Sequence, residues 1–183
     1  MQVECFPPIS DALSRVLLLG SMPGKASLRA GQYYAHRQNS FWRIMGALCQ
    51  FDPTAPYEVR TQKLLKAGIA VWDVLQSCSR ESSLDSDIEE ASIVVNPFEE
   101  FFQAHPQVVR VFFNGAKAEQ SYRRYVLPKI TPTAPLKYRR LPSTSPAHAS
   151  LCFAEKLAAW RIILSPPVLR EARQLEQAGN DGS

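Results

Sequence analysis

Cysteine and histidine are scarce in this 183-residue chain, and neither is patterned. Cys5, Cys49, Cys78 and Cys152 form no C-x-x-C pair and have no histidine at finger spacing. This argues against zinc or iron-sulfur chemistry and for free thiols in a reducing compartment. His36, His105 and His148 never pair at i, i+3 or i+4, so a metal mechanism has no ligand pattern behind it. We therefore expect no metal and no cofactor. No apolar run approaches the roughly 20 residues of a membrane span, and the first residues lack the charged and apolar regions of a signal peptide. A soluble, cytoplasmic protein is expected. Three motifs are also missing: the phosphate loop G-x-x-x-x-G-K-[ST], the dinucleotide fingerprint G-x-G-x-x-G and the hydrolase elbow G-x-S-x-G.

What is present is a hydrophobic content of 45 % with 10 % aromatics, ordinary for a globular chain. At this length one domain spanning 1–183 is the economical expectation, able to bury about 70 % of its unfolded surface. Residues 166–183 read as a charged C-terminal segment with a frayed end. The net charge of +4 hides an asymmetry. Residues 81–100 hold seven acidic groups and no Lys or Arg, whereas residues 110–140 hold eight basic groups against only Glu119. A basic stretch of that kind suits a polyanion, although a solvated helix face beside a basic loop accounts for it equally well.

Short apolar runs bounded by turn residues, at 15–20, 68–74, 108–114 and 138–141, read as buried parallel strands. Helical patterns lie between and after them at 41–49, 57–67, 97–105, 116–125 and 149–164, while 76–92 reads as a polar connection. This alternation predicts an α/β fold: a three-layer domain with a central four-stranded parallel sheet and helices on both faces. Two small-residue turns follow strands, GSMPG at 20–24 and LPSTSPAHA at 141–149. Ligands of open α/β sheets bind outside the carboxyl ends of the strands, so these two turns are expected to meet over one site.

The densest group of functional side chains is 31–42, with Tyr33, Tyr34, His36, Arg37, Asn39 and Trp42. These can stack on a base, hold a water and touch phosphate. The alternative is structural, with Asn39 or Ser40 capping the next helix and the aromatics in the core.

GSMPG, QYYAH with Asn39-x-Phe41-Trp42, FNGAKA at 113–118 and LPSTSPAHA together resemble the hypoxanthine-DNA glycosylase branch of the uracil-DNA glycosylase superfamily. The likeness runs from about residue 16 to 160. It implies a monofunctional enzyme of base excision repair that flips a deaminated base out of duplex DNA: hypoxanthine, with uracil or xanthine as further candidates. A positioned water would then hydrolyse the N-glycosidic bond. Relatives carry Asp or Asn after the first strand to hold that water; here Ser21 and Met22 stand there, and the resemblance assigns the role to Asn39. The base would be bound by Ser21, Met22, Tyr33, Tyr34, Asp73, Phe113 and Asn114. Asp73 replaces the Asn that reads uracil in other branches. The resemblance gives DNA contacts to Ser143, Thr144 and Ser145, with Ala147 or His148 at the wedge. Arg139 and Arg140 add basic charge, and a monomer is expected.

The chemistry is coherent with these residues. Breaking the bond builds oxocarbenium character on the sugar and negative charge on the base. A neutral amide is a poor base, so positioning and electrostatics must supply most of the acceleration. Tyr33, Tyr34 or Phe113 can stack on the extruded base, or each can be core. Asp73 can accept from the N1–H of hypoxanthine, or cap the polar loop that follows. Two rivals remain: a non-catalytic nucleic-acid-binding module of the same fold, and a serine hydrolase using Ser143 or Ser145 with His148.

Overall fold

The computed structural model describes residues 1–132 and 134–165. Its elements in chain order are β1 (Gln2–Glu4), β2 (Val16–Gly20), α1 (Lys25–Ala30), α2 (Phe41–Cys49), α3 (Tyr57–Lys66), β3 (Ile69–Asp73), β4 (Leu75–Ser79), β5 (Val94–Val95), α4 (Phe98–Ala104), β6 (Arg110–Asn114), α5 (Ala116–Ser121), β7 (Lys137–Leu141) and α6 (Phe153–Trp160). The expected C-terminal segment 166–183 lies outside the described residues. No helix among the described residues is long and apolar enough to cross a membrane.

The four expected strands form one parallel sheet in the order β3-β2-β6-β7, flanked by helices. Position in the sheet explains composition. β2 and β3 are buried at all five positions and, apart from the terminal Asp73, read as apolar runs, as strands covered on both faces do. β7 lies at an edge and exposes Lys137, Arg139 and Arg140; charge on an edge strand discourages pairing with another chain. Leu17, Leu19, Phe41, Ile44, Phe113, Tyr122 and Trp160 belong to one continuous core, with Phe41 and Trp160 in edge-to-face contact at 6.0 Å.

Two sequence expectations need correction. Residues 76–92 are more than a polar connection: β4 pairs antiparallel with β1 and with β5, making a second three-stranded sheet. Its partners are far apart in sequence, as in Gln2 opposite Ser79, and its strands are short and half exposed, so no apolar run betrays them. The last helix begins at Phe153 rather than 149, where the Glu155 carboxylate accepts the Cys152 N–H at 2.7 Å and caps the first turn.

Candidate active site

Each strand of the parallel sheet delivers a residue to the same place. Gly20 ends β2, Asp73 ends β3, Asn114 ends β6 and Ser143 follows β7; all four line one cavity of about 800 Å³. The loop before α2 adds Tyr34, His36 and Asn39, and the 81–90 segment adds Asp85 and Glu90. Thus the two turns singled out in the sequence do meet over one site, with room for a nucleotide-sized ligand.

The turn after β7 is latched from two sides by Thr144. Its N–H donates to Asn114 Oδ1 at 2.8 Å, and Asn114 Nδ2 donates back to its hydroxyl at 2.8 Å. Its carbonyl accepts the Ser40 N–H at 3.0 Å. Thr144 is only 1 % exposed. It therefore holds the turn, and the latch uses one acceptor site and one N–H of the Asn114 amide, which also lines the cavity. Gly115 allows the close packing, since it sits at φ +97° and a Cβ there would stand 3.0 Å from the Ser143 side chain. Ser143 Oγ accepts from Ser145 N–H, and Ser145 Oγ from Ala147 N–H, giving successive hydroxyl turns at the rim.

The floor is more unusual. Asp73 is 3 % exposed, and its Oδ2 has no hydrogen-bond partner; the Tyr34 hydroxyl is likewise buried and unpartnered. Both crowd the same point. A Cβ on residue 20 would lie 2.4 Å from Asp73 Oδ1 and 2.9 Å from the Tyr34 oxygen, so only glycine fits beneath them. Tyr34 is held at φ +55° with its ring stacked on Phe41 at 3.9 Å. Burial, and after it the neighbouring Asp85, push the Asp73 carboxyl up to about 7 against the opposing pull of Arg80.

A stability consequence follows from the sign of that shift. The folded state binds the Asp73 proton more tightly than an unfolded chain does, so the associated stability is present at low pH and is lost as the pH rises through about 7. Asp73→Asn is expected to match wild type near pH 4 and to be more stable by on the order of a few kcal/mol above neutrality. Urea midpoints at the two pH values measure this, and equal midpoints on the alkaline side would contradict a buried, unpaired carboxyl.

Asn39 lines the cavity, and its Oδ1 accepts the Phe41 N–H at 2.9 Å, capping α2. A carbonyl oxygen has two lone pairs, so the cap orients the amide and still leaves an acceptor site. Ser21 also lines the cavity, with its hydroxyl donating to Asp85 Oδ1 at 2.6 Å. Met22 is buried beside it, while Ala147 and His148 are exposed at the rim.

Other expected residues fall elsewhere. Phe113 is fully buried, packed on Tyr122 and Tyr138, and is core instead of a base platform. Tyr33 borders the cavity but is 3 % exposed, and its hydroxyl donates to the carbonyls of Phe6 and Pro7. Arg139 and Arg140 do not line the cavity, and Arg140 pairs with Glu119 at 3.4 Å. The His148 ring reaches Ser150 at 3.3 Å. Among the described residues no hydrogen bond joins that ring to the Ser143 or Ser145 hydroxyl.

Sequence reasoning missed the acidic segment's part. Its Ser83 hydroxyl accepts the Lys25 N–H at 2.9 Å, and Glu90 engages Lys117, Arg124 and Tyr125. The only signal was the charge asymmetry, which told nothing of placement.

A parallel α/β sheet with a polar cavity across its carboxyl edge defines a ligand-processing α/β domain. The sequence model of the uracil DNA glycosylase superfamily matches residues 7–163. The chain belongs to that superfamily and is by class a DNA glycosylase, an N-glycosyl hydrolase. It is 36 % identical over 119 residues to the hypoxanthine DNA glycosylase of Methanosarcina barkeri, covering 64 % of this chain and 74 % of that one. It is 37 % identical over 114 residues to the hypoxanthine DNA glycosylase of Methanosarcina acetivorans, covering 62 % and 71 %. A solution NMR structure of a Methanosarcina acetivorans protein assigned as a uracil DNA glycosylase superposes with a TM-score of 0.73 at 30 % identity. It covers 90 % of this chain and all of the other.

Proposed function

We propose that this enzyme removes hypoxanthine from duplex DNA by hydrolysis at the cavity described above, without a metal and without cutting the strand. The observation that carries the reading is the convergence of Asn39, Tyr34 and Asp73 on one cavity beneath a rigidly latched hydroxyl turn. Relatives named as hypoxanthine DNA glycosylases support the choice of base.

The extruded base enters between the turn after β2 and the turn after β7. Asn39 Oδ1 keeps one lone pair for a water directed at C1′. As the C1′–N bond breaks, its electron pair leaves with the base and the water oxygen bonds to the sugar. Extrusion costs a few kcal/mol, least for a mispaired base, and this favours deaminated sites over intact pairs. The Ser143 and Ser145 hydroxyls contact phosphates, fixing register without reading sequence.

The duplex contact is electrostatic, so affinity is expected to fall steeply with salt. Lys25 and Lys117 are the cations at the cavity wall. Replacing Lys25 with Ala is expected to reduce the log–log salt slope by about one, and replacing Lys117, which is paired with Glu90, to reduce it by less. The Arg139 and Arg140 pair on the β7 edge joins the footprint if its removal lowers the slope further. Fluorescence anisotropy across a salt series measures both, and salt-independent binding would contradict a phosphate-facing surface.

Substrate choice is tested on duplexes carrying hypoxanthine, uracil or xanthine opposite each normal base. Fastest release is expected for hypoxanthine. A preference for uracil by an order of magnitude would overturn the choice of base, and binding without release of any base would mark a non-catalytic module.

A further inference from the structure

Asp73 sits where an ionised carboxylate is poorly served. Its Oδ2 is buried without a donor, and Oδ1 is packed over the Cα of Gly20. The nearby polar head, the Tyr34 hydroxyl, is itself unpartnered. Among the described residues no ion pair reaches Asp73: Arg80, the cation close enough to influence it, donates instead to the Pro23 carbonyl. A carboxylate needs several donors or a cation to stay ionised in such a place. The floor of the cavity therefore favours the neutral acid.

Deaminated bases share one edge that a neutral acid matches. Hypoxanthine, xanthine and uracil each present a carbonyl oxygen beside a ring N–H. A protonated carboxyl donates to the first and accepts from the second, whereas an ionised one sets two acceptors against a carbonyl. Building on the glycosylase reading, we propose that Asp73 works as a neutral carboxylic acid that donates a hydrogen bond to the lactam oxygen of the flipped base and accepts one from the adjacent ring N–H. As the glycosidic bond breaks, the departing base carries the electron pair, and charge accumulates on that oxygen. The Asp73 proton stabilises it and stays on Asp73, while the attacking water supplies the proton that finally neutralises the base. An ionised Asp73 would repel the same charge. Guanine and thymine carry the same lactam edge, and the acid also fits the N1/N6 edge of adenine, so rejection of undamaged bases rests on the cost of unpairing them.

The surroundings determine how this acid responds to pH. Tyr34 faces it from the loop before α2, with Tyr33 behind, Tyr57 from α3 and Cys5 from the N-terminal segment. Burial pushes all three phenols up, and pushes the Cys5 thiol up to about 11, so these groups stay neutral. Asp85 and Arg80 supply the charges, of opposite effect. His36 and His148 also line the cavity. Bound DNA phosphates add negative charge and hold the Asp73 proton more firmly.

Single-turnover release of hypoxanthine from duplex is to be measured from about pH 5.5 to 8.5 at fixed ionic strength, for wild type and Asp73→Asn. The wild-type rate is expected to fall on the alkaline side, approaching about tenfold per pH unit as one proton is lost. Asparagine offers a donor and an acceptor at every pH, but its amide donates less strongly than an acid, so the variant is expected to be slower than wild type at low pH and to lack the alkaline limb. Titration of the base itself would survive in the variant. Affinity for a duplex bearing non-cleavable 2′-fluoro-deoxyinosine, relative to undamaged duplex, gives a second reading that needs no cleavage. It is expected to decline with rising pH in wild type only. A wild-type rate that climbs through this range, an alkaline limb retained by the variant, or pH-independent lesion preference overturns the proposal. Absence of base release at every pH, with the lesion preference still declining, sinks the glycosylase reading and leaves the Asp73 assignment standing.

Discussion

Asn39→Ala is expected to lower single-turnover release of hypoxanthine by roughly 10² or more, the range for loss of a positioning or acid–base group. Binding of the damaged duplex should change little. The residue has two duties, and the experiment must separate them. Its Oδ1 caps α2 through the Phe41 N–H, so the alanine variant also loses about 1 kcal/mol of stability. That loss shifts a denaturation midpoint and does not reach the chemistry of a folded protein. Asn39→Asp keeps both the cap and an acceptor for water, and is expected to retain much of the rate. A folded Asn39→Ala enzyme cleaving at the wild-type rate would reduce Asn39 to a cap and leave the water without a holder.

The second large effect is expected at a residue with no side chain. Gly20→Ala places a methyl group 2.4 Å from Asp73 Oδ1 and 2.9 Å from the Tyr34 hydroxyl. Neither neighbour can swing aside easily: Asp73 is a short buried side chain ending β3, and Tyr34 is stacked on Phe41. The floor must shift by on the order of an ångström, and a displacement of that size can cost about 10²-fold in rate. Asn39 and the latched turn are untouched, so affinity for undamaged duplex should be kept while preference for the lesion is lost. Wild-type rates in a folded Gly20→Ala variant would show that the Asp73–Tyr34 floor takes no part in cleavage.

Much of the scaffold was legible because its signals are local. Val16 to Leu19 is a short apolar run bounded by turn residues and reads as a strand covered on both faces, and Phe41 to Cys49 carries its own helical periodicity. The meeting of GSMPG with LPSTSPAHA was legible too, because parallel sheets carry their sites at the carboxyl ends of the strands. What escaped depends on contacts between distant residues. The Thr144 latch joins positions 30 and 104 residues apart. Nothing near Thr144 in sequence distinguishes it from Ser143 or Ser145, yet it is buried and they are not. Phe113 is a candidate stacking platform through the FNGAKA motif of the resemblance, with a place in the core as its alternative. In a pleated strand adjacent side chains face opposite ways, and its ring packs on Tyr122 and Tyr138. The small β1-β4-β5 sheet escapes for a related reason: it buries only scattered apolar residues, Val3, Leu75 and Cys78, between exposed or half-exposed polar ones.

The central claim, hydrolysis of a deaminated base by this cavity alone, is tested most directly by one single-turnover experiment. The enzyme is mixed in EDTA with a duplex containing one hypoxanthine, and products are followed by free-base chromatography and by strand scission with and without alkali. The prediction is stoichiometric free hypoxanthine, an intact strand before alkali, and a single break after it. Release that requires added metal, scission without alkali, or no free base from a folded enzyme that binds the duplex would contradict it.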